Sequence, residues 1–197
     1  MRLLFLGDSY TIGEGVDSTQ NFPGLLIQQL KKKNILVSFD LIIAKTGWTT
    51  SELMEAINKQ SIDADFNFVT LLIGVNNQYR GLDIATYKHE FEMLLEKAVF
   101  FAQDDEQSVI VISIPDWGRT PFAEGRDIQK ISDEIDQYNQ INQEIAAKFG
   151  VHYLNITNEN RDRSNDDFYL AADKLHPSSE EYIIWAEKLL PMFLMKN

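Results

Sequence analysis

Three side chains near the two ends of the chain are of the types that perform nucleophilic chemistry together. Ser9 follows the apolar run Leu3–Leu6, and Asp173 and His176 lie close to the C-terminal end. A serine hydroxyl becomes a nucleophile when a histidine removes its proton and a third group fixes the histidine tautomer. A spacing of three residues in a turn-like segment can bring the Asp173 carboxylate beside Nδ1 of His176. The alternative is that Asp8 and Ser9 serve only as turn and helix-capping residues.

The other two histidines are weaker candidates for a general base. His89 lies in a segment rich in Glu and Lys with helical spacing, which predicts a solvated surface position. His152 lies within a short apolar run and is predicted to be a packed or edge residue of a strand.

An acyl-transfer site also needs hydrogen-bond donors for the negative charge that develops on the carbonyl oxygen. Asn76 offers a side-chain N–H₂ group, and Gly47 offers a backbone N–H that no side chain obstructs. Both residue types are also common in turns, so a purely structural role stays open for each.

Apolar runs alternate along the chain with segments of helical spacing, which predicts an α/β fold with a parallel sheet and a single domain over residues 1–197. The runs are continuous, as expected for strands that are covered on both faces. The predicted strands are Leu3–Leu6, Ile35–Ile43, Phe66–Ile73, Val109–Ile114 and Val151–Leu154. The predicted helices are Phe22–Lys33, Thr50–Lys59 (after a capping box), Ile84–Gln103, Ile128–Phe149 and Ser178–Met195.

Polar residues follow each predicted strand, and the carboxyl ends of parallel strands form the ligand-binding edge of such a sheet. We therefore expect five segments to meet at one rim. They are Gly7-Asp8-Ser9, Gly47-Trp48, Gly74–Asn77, Ile114–Trp117 and Asp173–His176.

The composition excludes several classes of protein. The chain has no cysteine, so disulfides, zinc–thiolate sites and a cysteine nucleophile are excluded. A net charge of −12, with Lys31–Lys33 as the only basic run, argues against a nucleic-acid partner. The apolar start is too short for a signal peptide, and Glu187, Lys188 and Pro191 interrupt the apolar C-terminal segment, so we expect no membrane span and a cytoplasmic location.

Two other kinds of site are not supported by motifs. The chain has neither the G-x-G-x-x-G nor the Walker pattern of nucleotide-binding loops, and Asp8 and Glu14 would repel phosphate near Gly13 and Gly15. It also lacks the G-x-S-x-G elbow of α/β-hydrolases.

Four blocks in order resemble the GDSL or SGNH hydrolase family: Gly7-Asp8-Ser9-Tyr10, Gly47, Gly74-Val75-Asn76-Asn77 and Asp173-Lys174-Leu175-His176-Pro177. The resemblance implies a three-layer fold with strand order 2-1-3-4-5 and ester hydrolysis without a metal or organic cofactor. It further implies that Ser9 is the nucleophile and that His176 is the base oriented by Asp173. The oxyanion hole would consist of Ser9, Gly47 and Asn76. Tyr10 and Asn77 stand where the family more often has Leu and Asp.

The substrate is less defined by the sequence. We predict that six residues line the site: Asp8, Tyr10, Trp48, Asn77, Tyr79 and Trp117. The loop 115–126 is expected to form one wall, and the lack of large insertions favours short acyl groups, including acetyl esters of sugars and lysophospholipids. Arg80 is expected in an ordinary salt bridge, with an anionic substrate group as the alternative partner.

Two alternatives remain open at this stage. One is a catalytically silent module on the same fold that binds a carbohydrate or another ligand. The other concerns the apolar last helix, whose residues are expected to pack in the core, with a homodimer contact as the alternative.

Overall fold

Five parallel strands form one sheet with the order β2-β1-β3-β4-β5 in the computed structural model, which describes residues 1–194. The strands are β1 (Arg2–Asp8), β2 (Phe39–Lys45), β3 (Phe68–Leu72), β4 (Val109–Ile112) and β5 (His152–Leu154). This arrangement confirms the predicted α/β class and the strand order that the resemblance implied.

Helices connect the strands and cover the sheet in a three-layer arrangement. The helices are α1 (Ser9–Ile12), α2 (Phe22–Lys32), α3 (Thr50–Asn58), α4 (Val75–Tyr79), α5 (Ile84–Phe101), α6 (Ile128–Phe149), α7 (Thr157–Arg163) and α8 (Ser179–Leu194). Helix α2 packs on α8, whereas α5 packs on both α3 and α6. None of the helices within residues 1–194 is long and apolar enough to cross a membrane.

The central strands are buried because helices cover both of their faces. Leu3–Leu6 of β1 are wholly inaccessible to solvent, and every residue of β3 and β4 is buried. In contrast, β2 lies at the edge of the sheet, and of its residues only Ile43 is buried. The continuous apolar runs thus correspond to the interior of the sheet.

The second strand begins later than its apolar run predicts. The prediction began at Ile35, whereas pairing begins at Phe39, opposite Arg2. Residues 35–38 lie before the strand ladder because β1 itself starts at Arg2; outside the ladder, the Ser38 N–H donates to the Met1 carbonyl at 2.9 Å and the Met1 amino group donates to the Leu36 carbonyl at 2.6 Å. Ile35 and Val37 are apolar because they pack against the core from outside the sheet.

The predicted helix boundaries are confirmed where capping signals mark them. Thr49 and Glu52 form the predicted capping box at the start of α3, and Gly150 ends α6 in the left-handed conformation with φ 70°. The short helices α1, α4 and α7 had no such prediction, because four to seven residues are too few to show a helical period.

Helix α8 directs most of its apolar residues into the core. Trp185, Leu189 and Phe193 are buried, whereas Ile183 is 39% exposed. The helix was predicted to extend to Met195, which lies outside the described residues.

Candidate active site

A cavity of about 190 Å³ opens at the carboxyl edge of the sheet, beside the end of β1. We call it the rim cavity. Its lining residues are Ser9, Tyr10, Thr46, Gly47, Val75, Asn76, Tyr79, Trp117, Phe122, Leu175 and His176. The structure therefore brings together residues from all five predicted segments, and Trp117 and Phe122 come from the loop 115–126.

Ser9 lies where β1 passes directly into α1. The Asp8 carboxylate accepts a hydrogen bond from the Tyr10 N–H at 3.0 Å and thereby caps α1. The Tyr182 hydroxyl on α8 donates to the Tyr10 carbonyl at 3.0 Å. Ser9 is consequently held between the core of the sheet and the last helix, with only 3% of its surface exposed.

His176 is oriented by Asp173 through a compact local turn. One Asp173 oxygen accepts from the backbone N–H groups of Leu175 and His176, each at 3.0 Å, and the other lies 2.6 Å from His176 Nδ1. Lys174 adopts the left-handed conformation, with φ 60°, which lets the chain turn within three residues. With Nδ1–H bonded to a carboxylate, Nε2 keeps the lone pair that a general base requires.

The electrostatics of Asp173 suit this task. Partial burial on its own would raise the pKa of the Asp173 carboxyl, but the hydrogen bonds from His176 and Leu175 lower it below the ordinary value of 3.8. The carboxylate is therefore ionised at neutral pH and can stabilise a protonated imidazole.

Gly47 and Asn76 lie next to each other on another wall of the rim cavity. Gly47 has φ 83° in a turn that the Trp48 N–H closes on the Lys45 carbonyl at 3.2 Å, and this conformation favours glycine. The Asn76 side-chain amide donates to the Trp48 carbonyl at 3.0 Å and approaches Asp8 Oδ2 at 3.4 Å. Arg80 donates to the Gly47 carbonyl.

Asp8 is a buried carboxyl directly beneath these donors. Complete burial raises its pKa from 3.8 to about 7, although hydrogen bonds from the Tyr10 N–H and the Asn76 amide act in the opposite direction. Removal from water disfavours the charged form, and among the described residues no cation acts on Asp8 to offset this.

Aromatic rings form the wall that the loop 115–126 contributes. The Tyr79 ring lies 5.2 Å from that of Trp117 and 6.5 Å from that of Phe122. The Arg126 guanidinium lies over the Tyr79 and Trp117 rings, 5.2 Å from each centroid. Trp117 is fixed further by its indole N–H, which donates to Gln78 at 2.7 Å.

Of the six residues predicted to line the site, three are not among the described residues that line the rim cavity. Asp8 is buried below it, and Trp48 contributes its carbonyl to Asn76 while its ring packs against the core. Asn77 is 2% exposed and joins α4 to α3 through hydrogen bonds with the Thr50 side chain and N–H, at 2.7 and 3.1 Å. The Asn77 side chain therefore faces α3, whereas its neighbours Val75 and Asn76 line the cavity.

Thr46 lines the rim cavity from outside the predicted segments, and Val75 and Leu175 line it from within two of those segments although neither was singled out. Each is an immediate neighbour of a predicted residue, and this adjacency was the only available signal. Arg80 forms the expected salt bridge, with its Nη1 3.3 Å from Glu52 Oε2. Within residues 1–194, no three His, Asp or Glu side chains cluster closely enough to bind a metal ion.

Comparison with known families decides the class of the protein. The model of the GDSL-like lipase/acylhydrolase family matches residues 5–182. The chain belongs to this family. It is therefore a hydrolase of the type that acts on ester bonds, as the four sequence blocks predicted.

Solved structures share the fold at low sequence identity. A lipase/acylhydrolase from Enterococcus faecalis superimposes with a TM-score of 0.77 at 19% identity, over 99% of this chain and 96% of that one. Axe2, an acetylxylan esterase from Geobacillus stearothermophilus, gives a TM-score of 0.71 at 20% identity, over 98% and 93%. The psychrotrophic esterase EstA from Pseudoalteromonas sp. gives 0.72 at 15%, over 100% and 99%. No curated protein matches the chain.

Proposed function

We propose that this chain hydrolyses short-chain carboxylic esters through a covalent acyl-enzyme intermediate, with Ser9 as nucleophile, His176 as general base and Asp173 as the group that orients it. The observation that carries the proposal is the convergence of Ser9 and His176 on one cavity while Asp173 lies 2.6 Å from His176 Nδ1. Asp173 leaves Nε2 of His176 as the basic nitrogen, which is the atom that must take the serine proton.

In the first half-reaction, Ser9 Oγ attacks the ester carbonyl carbon while His176 Nε2 takes the hydroxyl proton. The resulting oxyanion accepts hydrogen bonds from the N–H groups of Ser9 and Gly47 and from the Asn76 amide. The intermediate then collapses as His176 returns the proton to the leaving alkoxide, which gives an alcohol and an acyl-serine.

In the second half-reaction, water attacks the acyl-serine while His176 takes one of its protons; the intermediate then collapses as His176 passes that proton to Ser9 Oγ, which releases the carboxylic acid and restores the Ser9 hydroxyl. Asn76 already uses one N–H on the Trp48 carbonyl at 3.0 Å, whereas its contact with Asp8 is longer, at 3.4 Å. We assign the N–H of this weaker contact to the oxyanion.

The size of the rim cavity supports a small substrate. The cavity has a volume of about 190 Å³ and opens to solvent at the rim. We propose that it accepts an acetyl to butyryl group. Sugar acetates fit the proposal as well, since the Tyr79 and Phe122 rings at the mouth are each more than 40% exposed. Acetylxylan esterases among the structural neighbours support that substrate class.

The setting of the reaction is part of the same proposal. We infer a small-molecule substrate in the cytoplasm and no nucleic-acid partner, supported by the net charge of −12 and the lack of cysteine.

The test is hydrolysis of 4-nitrophenyl esters from acetyl to octanoyl by the wild type, Ser9→Ala and the control Ser61→Ala, whose serine is exposed in a loop before β3. We expect activity with an optimum at acetyl to butyryl in the wild type and in Ser61→Ala, and none in Ser9→Ala. Mass spectrometry of a reaction quenched during turnover should show the acyl group on Ser9. An active Ser9→Ala enzyme would refute the nucleophile assignment, and an inert wild type would favour a silent binding module.

A further inference from the structure

Helix α4 contacts the Gly47–Trp48 turn at two successive carbonyls. Asn76, near the start of α4, donates to the Trp48 carbonyl at 3.0 Å, and Arg80, at its C-terminal cap, donates to the Gly47 carbonyl. The turn and the helix are 28 to 33 residues apart in sequence, so this contact is a tertiary one. Besides Ser9, the proposed oxyanion donors are Gly47 and Asn76, and α4 therefore links these two donors to each other.

The turn needs such support because it contains a glycine and is partly exposed to solvent. Glycine has the widest backbone freedom of any residue, and Gly47 is only half-buried while Thr46 is exposed. Apart from the contacts with α4, two hydrogen bonds hold the turn, one from the Trp48 N–H to the Lys45 carbonyl and one from the exposed Thr46 hydroxyl to the Glu14 carboxylate. A catalytic donor must stay aligned, since misplacement by about 1 Å can cost on the order of 10²-fold in rate.

Arg80 is itself fixed from the side of α3. Its Nη1 lies 3.3 Å from Glu52 Oε2, and Glu52 is held by the capping box, in which the Thr49 N–H donates to it at 2.8 Å. Burial would raise the pKa of Glu52, but the hydrogen bonds from Thr49 and the nearby Arg80 lower it, so the carboxylate stays charged. The planar guanidinium can contact Glu52 and Gly47 at once, whereas a lysine ammonium is a single point of charge on a flexible stem.

From these contacts we infer that Arg80, anchored by Glu52, is a positioning residue that holds the Gly47 donor of the oxyanion hole in register with Asn76. An ordinary surface ion pair between Arg80 and Glu52 would not require the additional hydrogen bond that Arg80 donates to the Gly47 carbonyl. The inference rests on the proposed function, which assigns the oxyanion to Gly47 and Asn76.

The variants Arg80→Ala, Arg80→Lys and Glu52→Gln test it. Glutamine at this position still completes a capping box, so Glu52→Gln removes the ion pair while the start of α3 is kept. Arg2→Ala is the matched control, because Arg2 forms a comparable half-exposed pair with Asp65 at 2.8 Å at the start of β1, the opposite end of the strand from Ser9.

We expect kcat on 4-nitrophenyl acetate to fall about 10-fold in Arg80→Ala, which is less than the ~10²–10³ expected for loss of a donor itself. KM should stay near the wild-type value, and the same factor should apply to the butyrate and to an anionic ester such as the hemisuccinate. Arg80→Lys should resemble Arg80→Ala, Glu52→Gln should fall less, and Arg2→Ala should match the wild type. Guanidinium ion at millimolar concentration should partly restore kcat in Arg80→Ala.

A second measurement does not depend on turnover. The ¹⁵N order parameters of the Gly47 and Trp48 amides should fall in Arg80→Ala and stay unchanged in Arg2→Ala. Unchanged order parameters, or an unchanged kcat in a folded Arg80→Ala, overturn the inference. A loss confined to KM of the anionic ester overturns it too and assigns Arg80 to substrate binding. Failure of the proposed function would be seen in a different experiment, as esterase activity that persists in Ser9→Ala.

Discussion

The two halves of the candidate site are held in place by opposite means. The inner half comprises Asp8, Ser9 and Asn76, and the outer half comprises Asp173 and His176. Asp8 is wholly buried, and its pKa is raised to about 7. Asp173 leaves 40% of its side chain exposed, and its pKa is lowered by hydrogen bonds from its own turn. The pKa of an aspartate is thus set by the protein core in one half and by two neighbouring residues, Leu175 and His176, in the other.

This difference predicts how each half responds to substitution. The outer half makes its decisive contacts within four residues, so a change there should affect the chemistry and leave the stability almost intact. The inner half depends on β1, α4 and α8, so a change there should affect both.

The largest effect is expected for Asp173→Asn. Its amide would present an N–H₂ group to His176 Nδ1, which reverses the imidazole tautomer and removes the basic lone pair from Nε2. By analogy with the same substitution in serine proteases, kcat should fall on the order of 10⁴-fold. The melting temperature should change little, as calorimetry would check.

Asp167→Asn is the matched control, because Asp167 lies in the same loop and pairs with Lys174 at the surface, at 2.6 Å. It should keep wild-type kcat. An Asp173→Asn enzyme within 10-fold of the wild type would show that Asp173 does not orient the base.

The next largest effect concerns the pH dependence of stability through Asp8. Its pKa is higher in the folded state, so between pH 4 and 7 the unfolded state binds fewer protons and the free energy of unfolding falls as the pH rises. The loss is on the order of 4 kcal/mol, since each pH unit between the two pKa values contributes about 1.4 kcal/mol. Asp8→Asn should remove this dependence, measured as urea unfolding from pH 4.5 to 8 and plotted as the difference from the wild type. Parallel curves for the two proteins would refute a buried, proton-binding Asp8.

A smaller effect on the inner half is expected for Gly74→Ala. Gly74 has φ 131° just before α4, and a Cβ there would lie 2.5 Å from the Tyr87 hydroxyl. Unfavourable backbone geometry costs about 1–3 kcal/mol, and the collision with Tyr87 adds to it and shifts Asn76. Both the free energy of unfolding and kcat should decrease.

Gly81→Ala separates the two causes, because Gly81 also has positive φ, 62°, but an added Cβ meets open space. It should lose less stability and keep kcat. Equal losses in the two variants would mean that the collision with Tyr87 is relieved at no cost.

The sequence was informative where a signal is local. The capping box at Thr49 and Glu52 and the glycine at 150 marked helix ends, because the atoms that satisfy each other lie within a few residues. The order of the four blocks predicted which residues meet at the rim, because parallel strands end at one edge.

What the sequence did not predict depends on distant partners. The contact of Arg80 with Gly47 joins residues 33 positions apart, and Asn77 faces Thr50 across 27. The burial of Asp8 follows from the packing of α1 and α4 around the end of β1, which no local pattern encodes. The late start of β2 likewise depends on where β1 begins.

The smallest expected effect tests how far the inner half relies on the last helix. In Tyr182→Phe, the hydrogen bond to the Tyr10 carbonyl is lost from a buried position, which should cost about 1 kcal/mol in the free energy of unfolding. Tyr153→Phe removes a comparable bond, to the Asn139 carbonyl at 3.2 Å on α6, and should cost about as much with no change in kcat. If α8 helps to hold Ser9, then Tyr182→Phe alone should also lower kcat, measured at saturating 4-nitrophenyl acetate. Equal kcat in both variants would mean that β1 and the Asp8 cap suffice to fix Ser9, the proposed nucleophile, and that α8 contributes only stability.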